Sequence, residues 1–279
     1  MPVKIHPLKH LVPSSDIADS YISRTIADVE DLDLLKYAQG EQKNVLLFGD
    51  TGPGKTAMVM AYAAVTKQPI VTIACNGGID PNTFWNSIVP DMETGGIKDV
   101  DSEVTEVVRH GGILYLDEIN FMPPKTTAVF HPLLDARRFI TMPGRGNQRV
   151  MAHKNLFIIG SYNPGYQGTR PLNAAFKNRF KLKLPIDYSR EVESQLVCMP
   201  VMLDLADKLR SSRQDGVLET PTSTNMLIEF EEFAIDLGLR FAIDNFVAAF
   251  EADERDAVRA VIELHMSDIE WQLEQMKEA

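Results

Sequence analysis

The chain has 279 residues, 44% hydrophobic and 24% charged, a composition that excludes disordered, fibrous and disulfide-framework classes. Its net charge of −11 disfavours indiscriminate attachment to nucleic acid or anionic membrane. No apolar run approaches the ~18 residues of a membrane span. The first sixteen residues lack an apolar leader core, and Cys75 and Cys198 read as buried or incidental thiols, so a cytoplasmic setting is expected.

Apolar spacing at Ile26, Val29, Leu32, Leu34 and Leu35 predicts a helix over residues 23–37. A buried strand follows over 44–48, then a Gly-rich loop and an Ala- and Met-rich helix over 56–67. A second strand is expected at 69–74, a short helix at 81–89, a helix at 101–110 and a third strand at 113–116. Two prolines open a helix over 123–137. Residues 138–142 and 149–152 flank a turn and read as a hairpin. A fourth strand is expected at 156–161, a helix at 171–178 and a fifth strand at 181–184. Short apolar strands alternating with helices indicate a parallel α/β sheet. Beyond Pro185 only helices are expected, over 189–198, 201–213, 223–238, 241–250 and 253–277.

Charge follows the same division. Residues 1–188 carry 20 basic and 19 acidic side chains, and residues 189–279 carry 8 and 20. Residues 136–186 hold ten Lys/Arg and no acid. The expected organisation is an N-terminal extension (1–20), an α/β core (21–187) and an acidic helical domain with a C-terminal helix (188–279).

The sharpest motif is Gly49-Asp50-Thr51-Gly52-Pro53-Gly54-Lys55-Thr56, which fits G-x-x-x-x-G-K-[ST] between a strand and a helix. Glycines let successive N–H groups face phosphate oxygens, and the helix adds its positive dipole end. Lys55 can reach the β- and γ-phosphates of ATP, and the Thr56 hydroxyl can bind Mg²⁺. Next, the apolar run Ile113–Leu116 ends in Asp117 and Glu118. At the carboxyl end of a parallel strand, Asp117 can approach the metal and Glu118 can polarise an attacking water. A third run, ending Ser161-Tyr162-Asn163-Pro164, offers Asn163 to the water or the γ-phosphate if its strand neighbours that of Asp117.

With these elements in this order the chain resembles the AAA+ ATPases, within them the MoxR-type and dynein-related branch that includes NirQ/NorQ/CbbQ and McrB-like proteins. The resemblance covers roughly residues 20–240 and implies a P-loop core followed by an all-α lid. It implies that Asn163 is sensor 1 and that Arg179, in Asn178-Arg179-Phe180, is an arginine finger reaching a neighbouring subunit's site. That role requires a ring, usually a hexamer, and Arg170 is a second candidate for a contact in trans. The hairpin at 138–153, with Arg145 and Arg149 at its tip, fits the family's hairpin before sensor 1. Residues 76–85 occupy the pore-loop position, where Phe84 and Trp85 either grip a partner or pack in the core. Residues 22–26 are the expected adenine wall. One departure is that Asn225 stands where a sensor-2 arginine is expected, and asparagine has no charge to offer. Arg240 or a neighbour's residue could take that part.

Two functional classes follow. One is an ATP-hydrolysing ring that remodels or activates a partner, chaperone-like, as MoxR-type proteins do, often with a protein carrying a von Willebrand factor A domain. The alternative is a nucleic-acid-associated motor of a phage or restriction system, favoured by the basic stretch 136–186. A non-catalytic nucleotide-binding scaffold ranks below both, because Lys55 and Glu118 are present.

Overall fold

The computed structural model describes residues 6–79, 84–164 and 171–278. It divides into two units, residues 1–49 with 54–186, and residues 50–53 with 187–279.

The first unit begins with helix α1 (Ser15–Asp19). A two-stranded ribbon follows, β1 (Thr25–Ile26) and β2 (Val29–Glu30), and only then helix α2 (Asp31–Gly40). The expected helix over 23–37 is thus half ribbon. Ala27 and Asp28 take positive φ at the turn (47° and 65°), a conformation incompatible with continuing a right-handed helix.

Strand β3 (Val45–Phe48) leads through the phosphate loop into α3 (Lys55–Thr66), and β4 (Ile70–Ala74) follows. Two strands, β5 (Asn86–Pro90) and β6 (Ile97–Asp101), form an antiparallel hairpin. The described part of the segment expected to be helical at 81–89 is therefore largely strand. Pairing with 97–101, which no local pattern encodes, decides it. Helix α4 (Glu103–His110) is capped by the Ser102 hydroxyl and has acids in its first turn and bases in its last, matching its dipole. Strand β7 (Gly112–Asp117), helix α5 (Pro124–Leu134), hairpin β8 (Phe139–Met142) and β9 (Gln148–Met151), strand β10 (Leu156–Tyr162), helix α6 (Ala174–Lys177) and β11 (Leu182–Pro185) complete the unit.

The five apolar runs make one parallel sheet in the order β11-β3-β10-β7-β4. Every residue of β10 is buried, as a central strand covered on both faces must be. One face packs on Val104, Val107, Phe130 and Leu133, the other on Leu35, Met58, Val59 and Tyr62. The sheet is the expected P-loop core.

The second unit is helical: α7 (Arg190–Leu196), α8 (Pro200–Gln214), α9 (Thr224–Asp236), α10 (Leu239–Ala248), α11 (Arg255–Leu264) and α12 (Met266–Glu278). The long helix expected over 253–277 is broken at His265, where the chain turns so that Val258, Ile262, Ile269 and Leu273 all reach one core. Buried carboxylates organise the unit, Glu193 and Glu231 among them. Glu193 pairs with Arg210 at 2.7 Å and accepts from the Thr224 hydroxyl. Glu231 accepts from the backbone N–H of Cys198 and Met199, at the start of α8.

Candidate functional site

The carboxyl ends of β3, β10 and β7 lie side by side, because β10 pairs with both neighbours, Tyr162 with Phe48 and Gly160 with Leu116. One residue further along each strand come Gly49, Asn163 and Asp117, the last beside Ser161. The condition set for Asn163 is met, since its strand neighbours that of Asp117.

Gly49 has φ +150°, and a Cβ there would lie 2.1 Å from the Ile186 carbonyl oxygen, so only glycine fits. Gly54, at φ +96°, caps α3. Lys55 opens the helix, is buried, and donates from Nζ to the Gly49 carbonyl at 3.0 Å. The ammonium is thereby drawn across the loop whose N–H groups and helix terminus form an anion cradle. In the second unit, Arg213 Nη1 is paired with the Asp50 carboxylate and the Tyr188 hydroxyl donates to the Thr51 carbonyl.

Asp117 is held by two hydroxyls. Tyr115 donates to its Oδ1 at 2.8 Å, and Ser161 donates to the same atom. The Thr56 hydroxyl lies 3.2 Å from the Tyr115 hydroxyl. Burial, then the charge of Asp117, pushes the Tyr115 phenol well above its ordinary range, so it stays neutral and donates. Glu118 follows in the left-handed region, φ +55°, with its N–H on Ser161 Oγ at 3.2 Å. Burial, then Asp117, raises the Glu118 carboxyl above the usual carboxylate range, and Lys55 opposes this. Burial, then Asp117 and Glu118, pushes the buried Cys75 thiol up to about 12, so it is inert, whereas Cys198 is exposed. Asn163 is buried, and its carbonyl accepts from Asn120 Nδ2 at 3.4 Å.

Arg179 lies at the end of α6 and donates from Nη1 to the Ala175 carbonyl at 2.6 Å. The Phe180 ring fills the space over Gly160, where a Cβ would come within 3.0 Å of it, which ties this arginine's backbone to β10. Arg170 lies outside the described residues. Asn225 is exposed in the first turn of α9, and Arg240 lines a groove on α10 with Asp244 and Glu263.

Phe84 and Trp85 are core residues, 8% and 1% exposed, packed with Phe130. Gripping a partner is overturned for both. Arg145 is not a free cation at a hairpin tip: its Nε reaches Asp99 at 2.6 Å and its Nη1 reaches Asp101, while Arg109 reaches Asp101 at 2.8 Å. Arg149 lies over the Phe139 ring, 4.8 Å from its centroid. The two hairpins of the unit are therefore laced together.

Sequence reasoning missed Arg24, Tyr115 and Ser161. Arg24 is buried and paired with Asp31, with its Nη2 3.1 Å from where a Gly54 Cβ would stand, so a cation backs the phosphate loop. The available signal for the other two was a hydroxyl near the carboxyl end of an otherwise aliphatic strand.

Residues 44–180 match the AAA domain of the dynein-related subfamily. The chain contains an AAA domain and is an ATPase. It is 29% identical over 240 residues to an uncharacterized protein of Staphylococcus haemolyticus, spanning 80% of this chain and 90% of that one. It is also 29% identical over 236 residues to the uncharacterized protein YojN of Bacillus subtilis, spanning 79% and 77%. Among solved structures it is similar to a candidate ATPase from Cytophaga hutchinsonii, with a TM-score of 0.47 and 16% identity over 82% of this chain and 78% of that one.

In this ATPase the loop at residues 49–56 is the candidate cradle for a nucleotide's phosphates. The oxygen donors Thr56 and Asp117 fit Mg²⁺, which takes one or two protein oxygens together with substrate phosphates. No cluster of three or more His, Cys, Asp or Glu able to hold a metal occurs among the described residues. Among the described residues no helix is long and apolar enough to cross a membrane.

Proposed function

We propose that the chain couples ATP hydrolysis to the remodelling or activation of a partner protein, as a MoxR-type ring. Gly49–Thr56 would bind the phosphates, with Lys55 on the β- and γ-oxygens. Bound through Thr56 and Asp117, Mg²⁺ would neutralise charge on the phosphates. Glu118 would orient and deprotonate the attacking water, with Asn163 holding that water or the γ-phosphate. Arg179 would serve a neighbouring subunit's site, in a ring that is expected to be a hexamer. The partner would be on another chain, and a von Willebrand factor A domain protein is the expected kind.

The observation that carries the choice of a protein over a nucleic acid is the hairpin β5–β6. It exposes Ile88, Met92 and Ile97 at 68%, 93% and 78%, an apolar strip of the kind that marks a protein contact. The basic stretch that favoured nucleic acid is largely spent on the chain itself. Arg137 pairs with Asp135 and Arg145 with Asp99 and Asp101. Arg138, Lys181 and Lys183 donate to backbone carbonyls.

The test uses Glu118→Gln with ATP to capture partners from its host, repeated with Ile88, Met92 and Ile97 all changed to Ser. The proposal expects a captured protein that the triple variant no longer holds, at unchanged basal hydrolysis in the Glu118 background. ATPase activity stimulated by DNA or RNA, with a salt-sensitive dependence on Arg145 and Arg149, would contradict it in favour of the nucleic-acid motor.

A further inference from the structure

We infer that Tyr115 and Ser161 are positioning residues that set the two protein oxygens for the divalent cation; the inference rests on the reading of Thr56 and Asp117 as its ligands. Both residues stand on the central strands β7 and β10, and Tyr115 and Ser161 are wholly buried. Tyr115 shares a strand face with Asp117, two residues on, and so projects toward α3, where Thr56 sits.

The direction of each hydrogen bond follows from proton counting. A carboxylate only accepts. The phenol has one proton, and it goes to Asp117 Oδ1 at 2.8 Å. The contact of 3.2 Å between Thr56 Oγ1 and the Tyr115 hydroxyl must then have Thr56 as donor. Ser161 spends its proton on the same Oδ1 and accepts from the Glu118 N–H. The chain of bonds runs from Thr56 through Tyr115 to Asp117, and from Glu118 through Ser161 to Asp117.

Two consequences follow. Thr56 is left with its oxygen lone pairs, and no proton, for a cation. Asp117 has one oxygen saturated by two hydroxyls, which leaves Oδ2 as the oxygen for a cation or its water. Ser161 also joins the backbone of Glu118 to the carboxylate of Asp117, so the base and the cation ligand are held in one register. Such outer partners are worth roughly 10- to 100-fold in metal affinity.

The experiment measures binding of a fluorescent ATP analogue by fluorescence anisotropy, with EDTA and across a Mg²⁺ titration, for the wild type, Tyr115→Phe and Ser161→Ala. Tyr115→Phe keeps the buried ring, and Ser161→Ala is a second route should the first not fold, as thermal unfolding reports. Affinity in EDTA is expected to stay within about twofold, while the Mg²⁺ concentration for half-maximal tightening rises about tenfold or more. Ser161→Thr is expected to restore the wild-type titration. Unchanged Mg²⁺ titrations, or equal losses with EDTA and with Mg²⁺, would overturn the positioning role. A wild-type titration that Thr56→Ala and Asp117→Ala leave unmoved would instead overturn the ligand reading on which it rests.

Discussion

The carboxyl edge of the sheet and the two laced hairpins belong to the same unit but are built on opposite terms. At the edge, polar groups are answered: half-buried Asp117 takes two hydroxyls, buried Lys55 takes the Gly49 carbonyl, and exposed Glu118 gives its N–H to Ser161. At the hairpins, ion pairs lie near the surface and apolar side chains face outward, Ile88, Met92 and Ile97 among them. Hydrogen-bonded oxygens fix geometry, which in-line chemistry on a phosphate needs. Exposed apolar side chains fix nothing within the chain, which is why a partner is proposed for them.

The sharpest way to break this contrast is at the boundary between the regions. Trp85 leads into β5, yet it packs on Phe130, so Trp85→Ala is expected to cost about 3–5 kcal/mol of stability in denaturant unfolding. A variant as stable as the wild type would return Trp85 to the outward-facing region. At the edge, Lys55→Ala removes the buried cation; a charged hydrogen bond is worth about 1.5–3 kcal/mol, so nucleotide affinity by calorimetry is expected to fall roughly 10- to 100-fold.

The Glu118 carboxyl gives a subtler test. It is raised by burial and by Asp117, so as pH falls the base is protonated and lost earlier than an ordinary glutamate would be. The acid limb of the rate profile is expected above the usual value of about 4.3, with the rate rising with pH through it. A limb at or below that value would contradict the partial desolvation and the Asp117 charge that raise this carboxyl. The smallest effect is expected at the strip: Ile88→Ser and Ile97→Ser should each change stability by no more than about 0.5 kcal/mol. A larger loss would mean that these side chains pack within the chain.

The sheet was legible in the sequence because strands buried on both faces read as unbroken aliphatic runs, and the phosphate loop because its glycines and lysine have fixed spacing. Residues 86–90 were not, since their strand depends on pairing with 97–101. The ribbon at residues 25–30 turns on Ala27 and Asp28 without a glycine, so the usual turn signal is missing. Tyr115 and Ser161 lay within recognised strands, but their convergence on Asp117 requires the register between β7 and β10. The fate of Arg145 likewise depended on two hairpins meeting.

The account's central claim is that Glu118, at the end of β7, is the base for hydrolysis of ATP held by the loop at residues 49–56. The direct measurement is single-turnover hydrolysis together with ATP binding for Glu118→Gln. Retained binding with hydrolysis slowed by roughly 10²-fold or more is the predicted result, the range for removing a general base. A variant that binds ATP and turns it over at the wild-type rate would contradict it.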